Sequence, residues 1–128
     1  MQEEFDNERL WRDIKKFIND RINLNSKEMY TNSQKKRFWI KAITNTFIRV
    51  EREKSKLPYE DIPRNDFIDI WSDLNKSKFI FSGYAQKDLH GGQNRHTAVT
   101  FSIISKLDYI ESKKVGKGLK YFISKDKL

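Results

Sequence analysis

Apolar side chains recur at helical spacing near the start of the chain. Leu10, Ile14, Phe17, Ile18 and Ile22 share one face, with Trp11 beside them and Arg12, Lys15, Lys16 and Asp20 elsewhere. This pattern predicts an amphipathic helix over 5–24. Residues 23–34 are polar and read as loop. Residues 38–52 admit two readings. Trp39, Ala42, Ile43, Thr46, Phe47 and Val50 would line a helix, yet Ile48-Arg49-Val50-Glu51 alternates at period two. The stretch is rich in β-branched and aromatic residues, and Thr44-Asn45 falls where a turn belongs. We favour a β-hairpin with strands 37–43 and 46–53. Both prolines lie in 54–63, which reads as a connector. Phe67, Ile70, Trp71 and Leu74 then repeat at i, i+3, i+4, i+7, with Asn65 and Asp66 placed as cap and first-turn acid. That predicts a helix over 65–76. Residues 78–83 read as a short strand closed by Gly83, and 84–90 as one helical turn.

The last third carries the functional signal. A polar loop, Gly91-Gly92-Gln93-Asn94-Arg95-His96, opens a helix-like run within 94–106. Two strands follow, at 109–113 and 119–124, around the basic turn Ser112-Lys113-Lys114-Val115-Gly116-Lys117-Gly118. On the helix, Ala98, Phe101, Ile104 and Leu107 can face a core. That leaves Gln93, Asn94, Arg95, His96, Thr97, Thr100 and Ser102 to solvent or ligand. A helix N-terminus offers free N–H groups and partial positive charge to phosphate, and Gln, Asn and Arg can pair with purine edges. Lys113, Lys114, Lys117 and Lys120 would add salt-dependent, largely sequence-blind affinity. The plainer alternatives are a capped surface helix and a hairpin kept soluble by its lysines.

Charge sharpens this picture. The 128 residues carry net +8. Residues 26–57 hold nine basic and three acidic side chains, and residues 83–128 hold nine and four, with an acidic stretch between them. Such blocks suit a basic face and a polyanionic partner, although a lysine-rich composition alone would also raise the charge. Lys35, Lys36 and Arg37, ahead of Phe38-Trp39, would supply secondary backbone contacts. The absence of Cys excludes disulfides and thiolate metal sites. The two histidines, His90 and His96, have no evident third ligand, so neither metal nor cofactor is expected. No apolar run approaches the roughly 20 residues of a membrane span, and the acidic start, Met-Gln-Glu-Glu, lacks signal-peptide layout. A cytoplasmic location is expected.

On helix, strand, glycine-tipped basic hairpin and strand in that order, residues 65–124 resemble a winged helix-turn-helix domain. The resemblance implies an α+β fold in which the 94–106 helix reads duplex DNA while wing lysines hold the backbone. The family's second helix is longer than the seven residues, 84–90, available here. The chain divides into 1–57, a helix plus hairpin packed on the core, and 58–128, the winged-helix-like region, within one compact unit. Such modules serve as transcription regulators or as recognition domains of restriction endonucleases and mobile-element proteins, as homodimers or attached to a larger enzyme. Two rivals stand beside this reading. One is a winged-helix protein-interaction module. The other is a small metal-dependent nuclease built on Glu111-Ser112-Lys113 with an acid such as Asp88. No nucleophile elbow, Walker motif or paired-acid arrangement is present, so no catalytic residue is expected.

Overall fold

A computed structural model describes residues 7–23, 28–32, 34–53, 55–89, 92, 94–116 and 118–127. The amphipathic pattern at the start forms α1, Asn7–Asn23, and buries Leu10, Trp11, Ile14 and Ile18. The ambiguous aromatic stretch is a hairpin of β2, Arg37–Ile43, and β3, Phe47–Arg52. Thr44 builds its turn: the Thr44 Oγ1 accepts from the backbone N–H groups of Thr46 and Phe47, both at 3.1 Å. Trp11 Nε1 donates to the Thr44 carbonyl at 3.0 Å, tying α1 to that turn.

Two strands lie in segments expected to be loop and connector. β1, Glu28–Tyr30, and β4, Glu60–Pro63, flank the hairpin to give an antiparallel sheet of order β1-β2-β3-β4. Both are short edge strands, and Pro63, which has no N–H to donate, sits at the end of one. Period-two alternation sends Met29, Phe38, Ile40, Ile48, Val50 and Ile62 inward. Against them pack α1 and α2, Arg64–Leu74, the latter burying Phe67, Ile70, Trp71 and Leu74. The Trp11 and Phe67 rings meet edge to face at 5.5 Å.

The expected strand over 78–83 is instead a helix, α3, Ser77–Ser82. A strand would put Phe79 and Phe81 on one face. Here Phe79 packs on the Tyr84 ring at 4.7 Å while Phe81 is 87% exposed. Gly83, at φ +85°, ends the helix, and its N–H reaches back to the Phe79 carbonyl at 2.9 Å. A 3₁₀ turn, Gln86–Asp88, stands where one helical turn was expected. Then come α4, Thr97–Ile104, and the hairpin β5, Ile110–Val115, with β6, Gly118–Ile123. Tyr84 forms an isolated antiparallel bridge to Tyr121, adding one residue of a third strand beside β6. Its phenol donates to buried Asp73 at 2.7 Å. One hydrophobic cluster runs from Leu10 to Ile123 and takes in residues of α1, all of β1–β4, α2, α4 and the β5–β6 hairpin. The architecture is α+β.

Candidate nucleic-acid interface

The residues before α4 are organised by a buried carboxylate on β4. Glu60 alternates with Ile62 on the inward face of its strand, and its side chain is 3% exposed. Its Oε2 accepts from Arg95 Nη2 at 3.1 Å and from Ser55 Oγ at 3.2 Å. Arg52 Nη1 lies 3.7 Å from Oε1 and also donates to the Arg95 carbonyl at 2.6 Å. His96 Nδ1 stands 3.3 Å from Oε1. Burial holds the His96 imidazole below its ordinary value, with the pull of Glu60 opposing and Arg95 and Arg52 assisting. Asn94 caps the approach, its Oδ1 accepting from the His96 N–H at 2.8 Å. Arg95 is therefore held by the Glu60 carboxylate, and its side chain remains 58% exposed. His96 is positioned through its backbone by Asn94, its Nδ1 near Glu60 but not hydrogen-bonded to it.

The helix itself is largely buried. The sequence pattern left Thr97, Thr100 and Ser102 open, but all three are buried, Thr100 to 1%. Their hydroxyls are used internally: Thr97 Oγ1 accepts from the Asn94 N–H, Thr100 Oγ1 donates to the His96 carbonyl, and Ser102 Oγ donates to the Ala98 carbonyl. Two coverings account for this. Helix α2 packs on one side, and the turn after β1 lies on another. There the Asn32 N–H donates to Ser102 Oγ at 2.9 Å. Asn32 Nδ2 donates to Ser105 Oγ at 2.9 Å and to Tyr121 Oη at 3.1 Å. Thr97 and Thr100 are thus not open to solvent as the pattern led us to expect, and both border a small cavity beside Asp66, Asp69 and Ile70 of α2. Gln93 and Lys117 lie outside the described residues.

That same turn carries Lys35 and Lys36. It is closed by Lys35 N–H to the Thr31 carbonyl and Thr31 N–H to the Lys36 carbonyl, both at 2.9 Å. Lys35 takes φ +57°, a left-handed conformation rare for a lysine. Lys36, Arg52, Lys56 and Arg95 line one open cleft of about 690 Å³, together with Glu53, Ser55, Leu57 and Glu60. Arg37 does not line the cleft but pairs with Glu53, which does, at 3.2 Å, and lies over the Trp39 ring at 5.2 Å. No known protein family, curated protein or solved structure matches the chain. The cleft has to be read from its chemistry alone.

The hairpin's cations divide between its two faces. Lys113 sits directly across from Lys120, while Lys114 faces Leu119 on the side that also carries buried Tyr121. Glu111 shares the Lys113 face, and Lys113 Nζ lies over the Phe122 ring at 5.3 Å. Asp88 is occupied by its own turn, accepting from the Ala85 N–H at 3.0 Å. Among the described residues no group of three or more acids and histidines could hold a metal ion, and no helix is long and apolar enough to cross a membrane. Sequence reasoning missed Arg52, Lys56 and Glu60. The one signal that could have found them was an acid at an inward position of an alternating Glu-Asp-Ile stretch, which requires cationic partners nearby.

Proposed function

We propose that this protein binds duplex DNA through its phosphate backbone. The observation that carries the reading is the convergence of Lys36, Arg52, Lys56 and Arg95, from three separate segments, on one cleft. The Asn32 contacts set the Lys35-Lys36 turn beside the Tyr121 face of the β5–β6 hairpin, the face that also bears Lys114. On this reading the cleft, the turn and the Lys114 face of the hairpin together are offered to phosphates. Glu60 orients Arg52 and Arg95 without neutralising the whole cleft, because Lys36 and Lys56 add two further cations.

The element order from α2 to β6, with Tyr84 bridged to β6, supports the resemblance to a winged helix. What differs is the division of labour. With α4 enclosed, affinity comes from phosphate contacts, and Asn94 and Arg95 at the mouth of the helix are the side chains left to touch a base edge. The test is binding of a labelled random duplex by anisotropy at two or more salt concentrations. Affinity should fall steeply with salt, and Lys36→Ala with Arg95→Ala should each reduce the log–log slope by about 0.9. Salt-independent binding, or unchanged slopes in both variants, would overturn the reading.

A further inference from the structure

The opposite side of the wing carries a second set of features that the duplex reading does not use. Phe81 is 87% exposed, the most exposed of the large apolar side chains among the described residues. Lys78 lies three positions earlier on α3, on the same helix face. The end of α3 is pressed against β6. The Lys120 Nζ donates to the Ser82 carbonyl at 3.1 Å, and a Cβ built on Gly83 would meet Phe122 Cζ at 2.6 Å. Beside this contact Lys113 and Lys120 stand directly across the hairpin from one another. Like charges in that position repel. Among the described residues, none of Lys78, Lys113 and Lys120 is ion-paired with a carboxylate; Lys78 and Lys113 instead lie over the Phe79 and Phe122 rings. Glu111 is the one acid on this face of the two strands.

A solvent-exposed aromatic ring beside Ser82, whose carbonyl Lys120 holds, together with lysines free of acid partners on that hairpin face, suits one kind of occupant. We propose that this surface binds single-stranded nucleic acid, a base stacking on Phe81 while Lys78, Lys113 and Lys120 hold the flanking phosphates. Every base presents a π-face, so stacking tolerates any sequence, and lysines at the strand's edge supply the salt-dependent part. The site is separate from the duplex-binding cleft, and each can fail without the other.

The test uses a fluorescein-labelled 20-nucleotide thymidine strand, a random duplex and an abasic strand of equal charge, with anisotropy as the readout. Phe81→Ala should weaken the thymidine strand roughly tenfold, as expected for loss of one stacked base. Duplex affinity should stay unchanged, as should the melting temperature, since the ring is in solvent. Phe81→Trp should restore binding, with quenching of the new indole on addition of the strand. The abasic strand should bind wild type and Phe81→Ala alike. Equal affinity of wild type and Phe81→Ala for the thymidine strand would overturn the proposal. So would light scattering that shows a dimer converted to monomer by Phe81→Ala, because a second copy would then cover the ring. Loss of duplex binding alone would bear on the cleft and leave this site standing.

Discussion

Glu60 has the most to lose from a single change. Its carboxylate serves Arg52, Ser55, Arg95 and His96 from inside the protein. Glu60→Ala should cost about 2–3 kcal/mol by urea denaturation, less than a fully buried pair because Arg95 reaches water. DNA affinity should fall as well, since Arg95 loses its anchor. His96 gives this cluster a pH dependence. Its folded value is depressed by burial, so the unfolded chain takes up the proton first as pH falls. The His96 contribution is complete above the ordinary imidazole value of about 6.5 and is lost as pH drops through the folded value. His96→Asn should flatten the pH dependence of stability between pH 7 and pH 5. Lys35 shows the opposite balance. Its positive φ is strained for any side chain, and Lys35→Gly should raise stability by up to about 1 kcal/mol while weakening duplex binding. Improved stability together with unchanged affinity would remove Lys35 from the interface.

Elements differed in how much of them could be read in advance. The stripe Phe67, Ile70, Trp71, Leu74 specified α2 because helical periodicity over two turns has few competing explanations. The β2–β3 hairpin followed from alternation and from Thr44-Asn45, although the same residues also fitted a helix. β1 and β4 were illegible for a physical reason: three or four residues carry too little pattern, and both are fixed by pairing with the central hairpin. α3 was misjudged because Phe79-Ile80-Phe81 looks like a strand when β6, against which it packs, lies some forty residues further on. Of the site, Lys36 and Arg95 could be anticipated. The burial of Thr97 and Thr100 beside α2, some thirty residues away, and of Ser102 beneath the turn after β1, seventy residues away, leaves no local trace. Gly83 allows a sharp test of the α3–β6 contact. Gly83→Ala combines φ +85° with a 2.6 Å approach to Phe122, a region populated essentially by glycine alone. A loss of about 2–4 kcal/mol is expected in thermal or urea unfolding. A neutral result would mean that α3 lies free of β6, which would also weaken the stacking surface.

At the scale of the molecule, the C-terminal helix and hairpin are joined to what precedes them in one α+β unit. An N-terminal helix and a four-stranded sheet bring the turn after β1 against the end of α4. Asn32 is the fastener. Asn32→Ala leaves the backbone bond to Ser102 and the Ser105 hydroxyl's own bond to the Ser102 carbonyl. It removes the Asn32 amide from Ser105 and from the buried Tyr121 hydroxyl, and should cost about 1–3 kcal/mol. If the turn then lifts, Ser102 becomes reachable, and a gain of sequence preference in random-pool selection would accompany the loss of stability. Unaltered stability would show that the turn is held by something other than these bonds. The partners of Asn32 lie 70, 73 and 89 positions further on. Such distant closure is slow to form. During synthesis the lysine-bearing turn waits for Tyr121 to leave the ribosome, so the surface proposed to meet phosphates acquires its shape among the last events of folding.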